Sequence, residues 1–275
     1  MTIPFTKMTG AGNDFVVIDN RSARITRGSV LACKLCDRRW GIGADGLLLL
    51  ERSRRGAYRM MYYNADGSYG GMCGNGGRCI ALYAVKKRIA PRRHSFEALN
   101  HIYDVRVASE SDVSLRMKDP VDLRVNFMLP IRGKRINVSY VNTGSPHVVI
   151  PVRNLGGRGL TLDMLDVQGL GREIRHHKAF HPLGTNVNFI EMVSGKRIKI
   201  RTYERGVEAE TLACGTGAVA SAIIGSSLFV MSLPITVLPK SRSPLVIDFE
   251  RKGGLPIDVT LQGPAKVIFE GKITV

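Results

Sequence analysis

A chain of 275 residues, 44% hydrophobic and 23% charged, has the composition of one large or two ordinary globular domains, not of a disordered or disulfide-stapled chain. Its net charge of +17 would attract anions, nucleic acid among them. The basic residues, however, fall in separated clusters (Arg38-Arg39, Arg52 to Arg55, Lys86 to Arg93, Lys196 to Arg201) with no helix-turn-helix, zinc-finger or RNP-like pattern. They read as solvated surface, which leaves a nucleic-acid-binding protein as the remote alternative.

In chain order, short apolar or alternating runs bounded by Gly, Pro, Asn and Asp predict strands. They are Phe15–Ile18, Leu47–Leu50, Met60–Tyr63, Val138–Val141, His147–Ile150, Ile198–Thr202, Ile235–Leu238, Leu245–Phe249 and Val267–Phe269. A helix is expected over about Ser29–Arg39, with Leu31, Leu35 and Trp40 on one face. A second runs from Arg78 to Arg88 and ends in basic residues before Pro91, as suits the negative end of a helix. A third, Ala218 to about Leu228, is small and apolar on every side, as a helix enclosed by a sheet would be. The stretch Thr211–Pro239 carries no charge, but its Gly, Ser, Thr and Pro content reads as a buried helix running into a strand, not a membrane span. The pattern is α/β: two halves, each a barrel-like mixed sheet around a central helix. Residues 1-118 with about 268-275 form one half and 119-267 the other.

The five cysteines are Cys33, Cys36, Cys73, Cys79 and Cys214. Their odd number and uneven spacing, with no signal peptide visible, point to a reducing compartment, the cytoplasm by default. Cys33 and Cys36 have the spacing of a metal knuckle but lie in a helical pattern, so no metal is expected.

The most informative feature is a motif written twice. Met72-Cys73-Gly74-Asn75-Gly76-Gly77-Arg78 is echoed by Ala213-Cys214-Gly215-Thr216-Gly217-Ala218-Val219, each opening a helix. The first N–H groups of a helix lack partners and carry positive potential, which raises the thiolate fraction of a cysteine there. The same N–H groups in Gly74-Asn75 and Gly215-Thr216 can bind a carboxylate. Two such helix ends on one substrate would let one thiolate take an α-proton while the other thiol delivers one to the opposite face. Configuration then inverts without a cofactor, and the helix ends stabilise the developing enolate.

These residues resemble the diaminopimelate epimerases. Both cysteine motifs, Lys7-Met8-Thr9-Gly10-Ala11-Gly12-Asn13-Asp14-Phe15, Gly184-Thr185-Asn186-Val187-Asn188-Phe189 and Tyr203-Glu204-Arg205-Gly206 are all similar to that family's motifs. The resemblance implies a pyridoxal-independent isomerase that interconverts LL- and meso-diaminopimelate, for lysine and peptidoglycan precursors, in a cleft between the halves. It implies Cys73 and Cys214 as the acid/base pair, with Gly74, Asn75, Gly215 and Thr216 on the reacting carboxylate. Asn13, Asn64, Asn186, Glu204 and Arg205 would read the amino groups and distal carboxylate. No cofactor and no membrane are implied, and family members are commonly homodimers. His147 is an open candidate, for the site or for packing. Where the family usually has Asn before Pro-His, this chain has Ser145, which leaves open a racemase of another amino acid on the same fold. Glu208 and Glu210 read as surface residues, and Gly43-Ala44-Asp45-Gly46 as a turn.

Overall fold

The computed structural model describes residues 2–157 and 159–274; Met1, Arg158 and Val275, which fall within the expected halves, lie outside the described residues. The chain divides into two compact units, Met1–Arg116 with Gln262–Val275, and Met117–Leu261.

In the first unit the elements are β1 (Thr2–Gly10), β2 (Asn13–Asp19), α1 (Gly28–Cys36), β3 (Gly46–Glu51), β4 (Arg59–Asn64), α2 (Gly74–Lys86), β5 (Arg93–Ala98), β6 (His101–Val107) and β7 (Asp112–Arg116). Strand β1 is antiparallel to β2, β2 parallel to β3, β3 antiparallel to β4 and β4 parallel to β5; β5, β6 and β7 form an antiparallel meander. The runs Phe15–Ile18 and Leu47–Leu50 are buried on both faces, as the central strands of a covered parallel pair must be. Val16, Ile18, Leu47 and Leu49 pack with Leu31, Ala32 and Leu35 of α1. The opposite face takes α2, where the Cβ position at Gly76 lies 3.2 Å from Leu48.

The second unit holds β8 (Val121–Ile131), β9 (Lys134–Asn142), β10 (Pro146–Pro151), α3 (Val167–Arg175), β11 (Asn186–Ser194), β12 (Arg197–Glu204), β13 (Ala209–Thr211), α4 (Gly215–Leu228), β14 (Ile235–Leu238), β15 (Leu245–Lys252) and β16 (Leu255–Pro264), which runs over the boundary. Strand β10 is parallel to β11, β11 antiparallel to β12, and β12 parallel to β14. The chain then returns to the first unit as β17 (Lys266–Thr274), antiparallel to β1.

Each unit repeats one plan. Parallel neighbours need a crossover connection. The crossovers are α1 and α2 in the first unit, and α3 and α4 in the second. Each unit is thus a mixed sheet around one enclosed helix, α2 or α4, with the other helix on the outer face. Val219, Ile223 and Ile224 of α4 are fully buried, each worth about 1.5–3 kcal/mol in transfer terms.

The helical spacing that starts at Arg78 and Ala218 belongs to helices that begin at Gly74 and Gly215, directly after the cysteines, where the motif puts them. Some expectations need correction. Helix α1 ends at Cys36 because Asp37 accepts from the backbone of Arg39 and Trp40, each at 2.7 Å, and turns the chain. Trp40 therefore leaves the helical face and is 90% exposed. Helix α3 has no counterpart among the expected elements: Gly169 and Gly171 dilute the spacing of Val167, Leu170 and Ile174, all three of which are buried. The uncharged stretch becomes α4 followed by β14, and no helix among the described residues is long and apolar enough to cross a membrane.

Candidate active site

In the first unit, Cys73 caps the N-terminus of α2 with extended backbone, and its Sγ accepts from Gly76 N at 3.5 Å. Gly77 N reaches back to Cys73 O at 2.7 Å and closes the first turn. The side chain of Asn75 is oriented from both ends. Its Oδ1 accepts from Arg78 Nη2 at 2.7 Å, and its Nδ2 donates to Asn13 Oδ1 at 2.6 Å. Asn13 Nδ2 in turn donates to Asp45 Oδ2 at 2.9 Å. Arg38 binds Asp45 and also Asp14, both at 2.8 Å. Lys7 completes the group on Asp14 at 2.8 Å. Burial works against the Asp14 carboxylate, but Arg38 and Lys7 outweigh it and hold its pKa well below the carboxylate range.

Charged groups at the two ends therefore fix both amides without the ambiguity an isolated Asn would have. Asn64 is placed apart from this chain of bonds, at the end of β4, with Nδ2 on Ser68 Oγ at 2.9 Å. Its turn is still tied to the network, because Ala65 N donates to Asp45 O at 3.1 Å. Gly10 is required nearby: a Cβ there would lie 2.9 Å from Asn75 O.

The second unit repeats the arrangement with different partners. Cys214 is the extended N-cap of α4, and Ala218 N donates to its carbonyl at 2.9 Å. Its Sγ lies 3.4 Å from Thr216 Oγ1, which lies 2.9 Å from His147 Nε2. Asn188 settles the tautomer. Its Oδ1 accepts from Thr202 Oγ1 at 3.0 Å, so its Nδ2 faces Val148 O and, at 3.0 Å, His147 Nδ1. Nδ1 is thus an acceptor, and the proton sits on Nε2. Burial, with the charge of Arg205 adding, pushes the His147 pKa down to about 3, so the ring is neutral near pH 7. Nε2–H donates to Thr216 Oγ1, which leaves the hydroxyl proton of Thr216 to point at Cys214 Sγ. Gly217 admits Asn188 to this cluster, since a Cβ at Gly217 would stand 2.5 Å from Asn188 Oδ1.

His147 faces Asn186 across the parallel β10–β11 pair. Asn186 Nδ2 donates to Ser145 Oγ at 2.8 Å and to Pro146 O at 2.9 Å, while its Oδ1 accepts from Arg205 N at 2.9 Å. Glu204 ends β12 immediately before Arg205.

Cys73, Gly74, Asn75 and Asn13 are therefore joined in one unit, and Cys214, Gly215, Thr216 and His147 in the other, where Asn186 and Arg205 are joined to each other. Asp45 and Thr202 do not stand out in the sequence, and Arg78 and Asn188 lie within its motifs without an assigned role. Asp45 has the sequence setting of a turn residue, yet it anchors Asn13. Glu210 is no surface residue: its side chain is 12% exposed and binds Arg201 and Lys240. Glu208 is exposed, and it accepts from Gly206 N at 2.9 Å in the turn after Arg205. Cys79 is buried, which pushes its thiol up to about 12. Cys33 is exposed and Cys36 buried, and among the described residues no group of three or more His, Cys, Asp or Glu is placed to hold a metal.

Each of the two units thus carries one helix capped by a cysteine, and the fold that presents them recurs in other proteins. Solved structures with this fold include a Bacillus anthracis phenazine biosynthesis protein of the PhzF family (TM-score 0.76, 13% identity, 100% of each chain). A probable proline racemase from Agrobacterium radiobacter K84 is also similar (TM-score 0.74, 15% identity, 99% of this chain and 93% of that one). At such identities the likeness concerns the fold alone. Sequence is more specific: the family profile for diaminopimelate epimerase matches residues 5–123 and 139–237. Among its relatives, the diaminopimelate epimerase of Chlorobaculum tepidum is 44% identical over 97% of this chain and 100% of that protein. The one from Flavobacterium psychrophilum is 37% identical over 97% and 98%. The chain belongs to the diaminopimelate epimerase family.

Proposed function

We propose that this protein interconverts LL- and meso-diaminopimelate by proton transfer at one α-carbon, with Cys73 and Cys214 as the two bases, and that it serves lysine and peptidoglycan precursor synthesis. The observation that carries this reading is the pair of cysteine N-caps, one in each unit, within a family match over residues 5–123 and 139–237. In one direction a thiolate removes the α-proton and becomes a thiol. The other thiol delivers its proton to the opposite face and becomes the thiolate. The pair ends in the reverse protonation state, ready for the reverse reaction. Backbone N–H groups of Gly74, Asn75, Gly215 and Thr216 hold the carboxylate on which charge builds up, and helix N-termini are suited to that task.

Asn13, Asn64, Asn186, Glu204 and Arg205 are assigned to the second zwitterionic head, whose opposite charges need an acid, an arginine and amides. For Asn186 the bonds to Ser145, Pro146 and Arg205 support a role in holding neighbours in place. We further propose that the enzyme works in the cytoplasm as a homodimer; the odd number and uneven spacing of its five cysteines suit a reducing compartment.

Incubating LL-diaminopimelate in deuterium oxide should yield meso product carrying deuterium at one α-carbon. Folded, reduced protein that exchanges no α-proton would sink the proposal. Cys73→Ala and Cys214→Ala should each abolish turnover, and full rate in either variant would end the two-base scheme. Light scattering should give twice the chain mass, and a monomer mass would remove the dimer.

A further inference from the structure

Arg78 lies in the second turn of α2 and is fully buried. Arginine is almost never so placed unless it is paired. Among the described residues no carboxylate forms an ion pair with Arg78, and its Nε has no hydrogen-bond partner. The guanidinium folds back towards the start of the helix, where Nη1 donates to Gly74 O at 3.2 Å and Nη2 to Asn75 Oδ1 at 2.7 Å. Both acceptors belong to the residues directly after Cys73. A fixed cation is thus placed beneath a helix N-terminus, an end that already carries positive potential and favours anions. Both terms are offset by negative charge at the N-cap.

The charged and titratable groups whose fields reach Arg78 are Cys79 and Cys73 of its own helix and Asp112 of β7. Cys79 is held protonated by burial, so it brings no charge. Asp112 accepts a hydrogen bond from Gln262 Nε2. Burial pushes the guanidinium below its ordinary value, but arginine starts so high that it remains a cation at neutral pH.

We propose that Arg78 is a positioning residue, a buried cation under the first turn of α2 that favours the thiolate of Cys73 and fixes the amide of Asn75. Its importance for turnover rests on Cys73 being a proton-transfer group, whereas its effect on the thiol does not.

The test is therefore the pH dependence of Cys73 alkylation by iodoacetamide, quantified at that residue by peptide mass spectrometry, with exposed Cys33 as internal reference. Arg78→Met keeps the length of the side chain and suits a buried site; Arg78→Lys keeps the charge. Arg78→Met should slow Cys73 alkylation at neutral pH by about tenfold and move its midpoint up by about one unit. Arg78→Lys should stay near wild type, and Cys33 should not change in either variant. An unshifted Arg78→Met, with its circular dichroism and thermal unfolding intact, would overturn the proposal. So would an Arg78→Lys shifted as far as Arg78→Met. Should neither variant fold, the wild-type protein decides. Anionic iodoacetate should be favoured over neutral iodoacetamide at Cys73 more than at Cys33, and equal ratios would overturn the role. A failed epimerase assay would leave each of these results standing.

Discussion

Replacing Thr216 by Val tests the hydrogen-bond relay to Cys214. Valine keeps the shape of the side chain and the backbone N–H assigned to the carboxylate, but deletes the hydroxyl between His147 Nε2 and Cys214 Sγ. Two costs follow. His147 Nε2–H loses its acceptor inside the protein, which costs about 1–3 kcal/mol of stability. The Cys214 thiolate loses a hydrogen bond of the charged kind, about 1.5–3 kcal/mol, or roughly a 10- to 100-fold loss of rate wherever that thiolate forms in the rate-limiting step. The assay is initial-rate epimerisation in both directions, with KM and kcat separated. KM should change little, because the backbone donor remains. Iodoacetamide alkylation of Cys214 should slow in parallel, and Thr216→Ser should restore most of both. A Thr216→Val enzyme within twofold of wild type in both directions would refute the relay.

Other expectations follow from the same geometry. His147 has a folded pKa of about 3 against an ordinary value of 6.5, so its contribution to stability is complete above pH 6.5 and is lost as pH falls towards 3. At pH 5 that loss is about 2 kcal/mol; urea unfolding at pH 7 and pH 5 should show it, and His147→Gln should be less sensitive to that change. Asp45→Asn should release Asn13 and lower kcat/KM by about 10- to 100-fold, the worth of a hydrogen bond to a charged group, and unchanged kinetics would remove Asp45 from the site. Gly217→Ala must push Asn188 aside and should cost about 1–3 kcal/mol in thermal unfolding, with Cys214 reactivity changing too.

Much of the architecture is legible in the sequence, and for identifiable reasons. Leu47–Leu50 and His147–Ile150 are apolar runs because their strands are buried on both faces, so composition alone marks them. Strands such as β8, largely exposed and bent by irregular register against β9, carry no comparable signal. The starts of α2 and α4 are legible from the repeated motif and not from helical spacing, because their first turns are built from glycine, asparagine and threonine, which by composition read as loop. Within the site, Cys73 and Cys214 stand out because the motif is written twice. Asp45 and Arg78 do not, since what matters about them is the partner that folding supplies: Asn13 for one, Asn75 for the other. His147 cannot be assigned from sequence because its tautomer depends on Asn188, on the neighbouring strand, and on Thr202 beyond it.

The polar chain from Arg38 through Asp45, Asn13 and Asn75 to Arg78 starts at a side chain that is 59% exposed and ends at one with no exposure. It makes a solvent-facing residue part of the interior's wiring. A surface-charge redesign or a crystallisation mutant at Arg38 would loosen Asp45 and its hold on the Asn13 amide, although neither change is near Cys73 in the sequence. Engineering meant to lower the charge of this basic protein should therefore begin at arginines outside that chain and leave Arg38 in place.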